Sequence, residues 1–114
     1  MDVNSTSSVV ERDLTQEITR RILSVVPAQQ IIVFGSRARG EASVGSDWDI
    51  LVVAASDKPR YQRSPPLYGA LSDLRVPLDV LVYTPEEIRE WSQVESAFIT
   101  TAVREGRVVY EDQS

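Results

Sequence analysis

Asp47 and Asp49 are the residues of this 114-residue chain whose type and spacing point most directly to chemistry. They open the run Asp47-Trp48-Asp49-Ile50-Leu51-Val52-Val53, which is otherwise apolar and reads as a strand. Because strand side chains alternate, both carboxylates project from one face at one end, about 7 Å apart along it. Two like charges held that close require a cation between them. Mg2+ takes hard oxygen ligands and usually binds through one or two carboxylates together with substrate phosphates.

A phosphate-holding turn lies just upstream. Ile31-Ile32-Val33-Phe34 is a short apolar run, expected to be a strand buried on both faces, and Gly35-Ser36 follows it at once. Glycine lets backbone and ligand approach closely, and the serine offers a hydroxyl that can cap a helix beginning at Arg37. The N-terminus of such a helix suits a phosphate. Arg37 and Arg39 can make forked contacts with triphosphate oxygens, or lie on a solvated helix face.

A third acid, Asp79, sits inside the strand-like run from Val76 to Tyr83, where it is costly unless paired or metal-bound. If that strand neighbours the Asp47 strand, three carboxylates can hold two metals, or one metal and a base. That is the apparatus of in-line nucleotidyl transfer. Singly, a Gly-Ser turn and an Asp-x-Asp strand start are ordinary features. An acid inside a second apolar strand makes the combination unusual for a structural domain.

Gly35-Ser36, ten intervening residues, Asp47-x-Asp49 and the later Asp79 resemble the nucleotidyltransferase superfamily typified by DNA polymerase β. Gly35-Ser36-Arg37-Ala38-Arg39-Gly40 with Ser46-Asp47-Trp48-Asp49-Ile50 is most similar to the minimal nucleotidyltransferases of bacteria and archaea, over residues 12–111. The resemblance implies transfer of AMP from ATP to a hydroxyl, with two Mg2+ ions as cofactors. Asp47 and Asp49 would bind the metals, Asp79 would share one and help deprotonate the acceptor, and Gly35 and Ser36, with Arg37 and Arg39, would hold the triphosphate. Minimal members are commonly encoded beside a HEPN-domain toxin, a helical ribonuclease, and act as its antitoxin, in some cases by adding AMP to a toxin tyrosine. The resemblance implies that role here. The alternative is a catalytically silent nucleotide-binding module that neutralises a partner by contact alone.

The elements that must position these residues follow from the rest of the chain. With 42% hydrophobic and 25% charged residues, the composition is that of one folded domain over residues 9–114, preceded by a polar stretch at 1–8 expected to be flexible. The absence of Cys and His leaves carboxylates and hard cations to carry any catalysis. A net charge of −5 argues against a dedicated nucleic-acid surface. No apolar run is long enough for a membrane span and the N-terminus lacks the pattern of a secretory signal, so a cytoplasmic location is expected.

Val10, Leu14, Ile18, Ile22 and Val25 repeat at helical spacing, predicting a helix over residues 10–26 whose charged face, including Glu11, Arg12, Glu17, Arg20 and Arg21, is solvated. Residues 56–64 read as a loop. Ser64 then caps a helix with Leu67, Ala70, Leu71 and Leu74 inward. Tyr61 and Tyr68 nearby are packing residues, a stacking surface for a base or themselves sites of modification. Thr84-Pro85-Glu86-Glu87 and Ser92-Gln93-Val94-Glu95 are capping boxes for two further helices. The second carries Val94, Phe98, Ile99 and Ala102 inward and ends at Gly106, before a short last strand at Arg107 to Tyr110. The expected fold is α/β (α+β): one nucleotidyltransferase domain whose mixed sheet has helices packed on one face and acids on the other.

Overall fold

The computed structural model describes residues 3–40, 47–91 and 98–112, with side chains for 11–40, 47–91 and 101–112. In chain order the elements are α1 (Val3–Val25), β1 (Gln30–Phe34), β2 (Trp48–Val53), α2 (Pro65–Leu71), β3 (Leu78–Tyr83), α3 (Pro85–Trp91), α4 (Phe98–Glu105) and β4 (Arg107–Glu111). The four strands form one sheet in the order β3-β2-β1-β4. β1 pairs antiparallel with both β2 and β4, whereas β2 and β3 run parallel, joined by the crossover through α2. The sheet is therefore mixed, as expected.

Period-two alternation divides the side chains of β2 between two layers. Trp48, Ile50 and Val52 pack with Ile18 and Ile22 of α1 and Leu67 and Leu71 of α2. Asp49, Leu51 and Val53 face the other way, where Leu51 and Val53 join Ile32, Phe34 and Ala102 of α4. Helices consequently lie on both faces, not on one. Ile32, Leu51 and Val53 are too apolar to face water, and α4, with Ile88 of α3 alongside, covers them. The acids sit where that second cover stops.

Several local expectations change. α1 begins at Val3, earlier than the apolar period predicts. Val25 is exposed, and Val26 takes the contact with the core instead. The charged face of α1 is partly engaged, because Arg21 pairs with Asp73 and donates to the carbonyl of Ala70, tying α1 to the end of α2. Ser64 precedes α2 as predicted, but its backbone carbonyl, not its hydroxyl, accepts from Leu67 at 2.9 Å. The first capping box forms in full: Glu87 N–H donates to Thr84 Oγ1 at 3.2 Å and Thr84 N–H to Glu87 Oε1 at 2.8 Å. The second, at Ser92 to Glu95, lies outside the described residues with Val94, as do the side chains of Val10, Phe98 and Ile99. No helix among the described residues is long and apolar enough to cross a membrane.

Candidate active site

Phe34 and Asp49 are partners in the β1–β2 ladder, and Asp49 and Asp79 are partners in the β2–β3 ladder. The end of β1, with Gly35 just beyond it, therefore meets the starts of both parallel strands. Residues paired across adjacent strands share a face, and neighbouring strands stand about 4.8 Å apart, so both acids reach one cleft. Phe34, Gly35, Arg39, Asp49, Asp79, Thr101, Ala102 and Glu105 line that cleft, whose volume is about 270 Å³. Asp47 stands one residue before β2, exposed to solvent.

Gly35 has φ 74°, a left-handed backbone that favours glycine, and a β-carbon there would collide with Oδ2 of Asp49. The turn can hold the carboxylate this close because residue 35 has no side chain. Beyond it, residues 35–40 form hydrogen-bonded turns in place of the helix expected from Arg37. Arg39 N–H reaches the carbonyl of Gly35 at 3.2 Å, a single helical turn, and Gly40 at φ 73° ends it.

The two arginines of this turn part company. Arg37 turns to the α1 side, where its Nη1 meets Glu11 Oε1 at 3.0 Å and its guanidinium lies 4.3 Å from the centre of the Trp48 ring. Its side chain is only 9% exposed. Arg39 lines the cleft. Arg37 is thus held by the acid of α1 and the indole of the core, not on the solvated helix face that was one of the two expectations for it.

Burial raises the pKa of the Asp49 carboxyl above its ordinary value, and the charges of Asp79 and Asp47 push the same way, against Arg39. The site thus holds an excess of negative charge that a cation would relieve. Among the described residues, no three carboxylates stand close enough together to hold an ion, as expected where like charges repel without one. The donor set itself fits a hard divalent ion: carboxylate oxygens only, two at i and i+2 and a third in register on the next strand.

Two contributions were missed from sequence. Thr101 and Glu105, in the last turns of α4, line the cleft beside Ala102. The signal was present, since a residue three after an inward Ala102 shares its face. Tyr68, read as packing or base stacking, places its hydroxyl 3.5 Å from Oδ1 of Asp79.

A family model described as the nucleotidyltransferase domain matches residues 15–113. A solved structure of a toxin-antitoxin with AMP-PNP is 25% identical, with a TM-score of 0.61 over 87% of this chain and 74% of that one. A second, of the toxin-antitoxin MntA-HpeT with two aspartates two positions apart changed to glutamate, is 21% identical with a TM-score of 0.60 over the same shares. At that identity it speaks for the fold alone. No curated protein matches the chain.

Proposed function

We propose, for a chain that belongs to the nucleotidyltransferase domain family, that it transfers AMP from ATP to a hydroxyl of a partner protein. The acceptor is a tyrosine of a HEPN-domain toxin in the cytoplasm, for which the chain is the antitoxin. One observation carries the chemistry: Asp49 and Asp79 are paired across parallel strands and line one cleft with Gly35. The toxin-antitoxin structure with AMP-PNP supports the choice of nucleotide and of partner.

In this reading the backbone at Gly35 and Ser36 lies against the triphosphate, and Arg39 contributes positive charge from the cleft wall. The acceptor oxygen attacks the α-phosphorus in line, the bond to the bridging oxygen breaks, and pyrophosphate leaves. Asp79 takes the acceptor's proton. Asp47, Asp49 and Asp79 would hold two Mg2+ ions, which when bound offset charge on the phosphate oxygens and make the acceptor hydroxyl more acidic.

Contact alone is the second reading, favoured by the exposed position of Asp47 outside the cleft lining that Asp49 and Asp79 share. One experiment separates the two. The purified chain, its genetic neighbour, α-labelled ATP and Mg2+ should give labelled partner and pyrophosphate, and replacing Asp47 and Asp49 together by Asn should abolish both. Turnover retained by the double variant would end the transferase reading. A double variant that still silences the toxin would favour contact.

A further inference from the structure

We infer that Tyr68 is a positioning residue for Asp79, its hydroxyl fixing where that carboxylate stands relative to Asp49. The inference rests on the transferase reading above. β3 is the outermost strand, so part of its backbone has no neighbouring strand to bond. At that open edge the N–H of Val80 donates to the Tyr68 hydroxyl oxygen at 2.8 Å. A tyrosine hydroxyl carries one proton, and with its oxygen already accepting from Val80, that proton is directed to Oδ1 of Asp79, 3.5 Å away.

Two features set this contact apart from packing. On α2 the buried stripe is Leu67 and Leu71, and Tyr68 falls beside it with 38% of its surface exposed. Its hydroxyl is therefore not demanded by the core. Asp79 is itself exposed, at the start of an edge strand, and its charge and that of Asp49 repel each other. The Tyr68 hydroxyl makes the one hydrogen bond to its carboxylate among the described residues. An exposed, repelled carboxylate turns to water unless something holds it. α2 is the crossover that joins β2 to β3, so it brings its tyrosine to the strand that follows.

The test is Tyr68→Phe, which keeps the ring and removes the hydroxyl. Mn2+ binding in the presence of a non-hydrolysable ATP analogue, followed by electron paramagnetic resonance, should weaken about tenfold, the usual effect of losing a hydrogen bond to a metal-ligating side chain. kcat should fall similarly while KM for the acceptor stays put, and Tyr61→Phe, at a 75% exposed tyrosine, should change neither. In an Asp79→Asn background, Tyr68→Phe should have no further effect on Mn2+ affinity. Wild-type Mn2+ affinity and turnover in Tyr68→Phe would overturn the inference and leave the hydroxyl as a cap on the strand edge. An intact protein that binds no nucleotide with Mn2+ would overturn the transferase reading itself, a distinguishable result.

Discussion

The carboxylate of Asp49 occupies the space that a side chain at Gly35 would need. Sequence proximity does not explain this, because the two residues lie on either side of the β1–β2 connection and meet only when Phe34 pairs with Asp49. Gly35→Ala therefore carries two burdens, a left-handed backbone and a collision with the acid. The first alone costs about 1–2 kcal/mol. Urea unfolding should show at least that loss, and pyrophosphate release should drop at least tenfold as Asp49 is displaced. In an Asp49→Ala background the collision vanishes, so the stability cost of Gly35→Ala should shrink to the backbone part.

Asp49 should be a destabilising residue in the absence of metal. Its pKa lies above the ordinary 3.8 through burial first and the charges of Asp79 and Asp47 second. The folded state thus binds more protons than the unfolded one between 3.8 and the raised value. Stability falls as pH rises through that window, and at neutral pH the whole penalty is present. Asp49→Asn should raise the unfolding midpoint in chelator, because the penalty for holding that charge in the folded state is removed. Mg2+ with nucleotide should then stabilise the wild type and not the variant. A lower midpoint for Asp49→Asn in chelator would contradict this account.

Arg37 and Arg39, two residues apart, should fail in different ways. Arg37→Ala removes a guanidinium set between Glu11 and Trp48 and should cost about 1–2 kcal/mol of stability. Its effect on nucleotide affinity should be small. Arg39→Ala should raise KM for ATP several-fold, because it takes positive charge from the cleft wall. Calorimetric titration with ATP on both variants distinguishes the two.

This division marks where the sequence stops being legible. The apolar runs announced β1, β2 and β3 because burial leaves a strand few other compositions. Thr84 to Glu87 announced α3 because a capping box is a local bond pattern. The Asp-x-Asp spacing and the later acid announced carboxylates on one face of neighbouring strands for the same reason, since period two is a property of the strand itself. Arg37 was not readable, because its partners Glu11 and Trp48 lie on other elements. Nor was the helical cover on the acid side. The Leu51 and Val53 side chains require some cover, but only the fold shows that α4 supplies it and brings Glu105 to the cleft.

Glu87 ties the α3 cap to the loop before α2. Burial would raise its pKa, but hydrogen bonds from Arg63 and from Thr84 outweigh it, and the net shift is downward from 4.5. A carboxylate with a depressed pKa contributes stability above its unfolded value and loses it as pH falls through the folded one. Glu87→Gln should cost about 1 kcal/mol at neutral pH. The gap between variant and wild type should narrow below pH 4.5, as denaturation series on the two proteins will show.

The alternation along β2 also links correct folding to fitness for purpose. Sliding that strand one residue past its neighbours would force Asp49 beneath α1 and turn Trp48 and Ile50 towards the cleft and α4. A mispaired copy would lose its acid from the cleft and bury an unpaired carboxylate in the same step. Errors of register should thereby be self-eliminating, because a copy without its acid in the cleft is also a copy with a destabilised core.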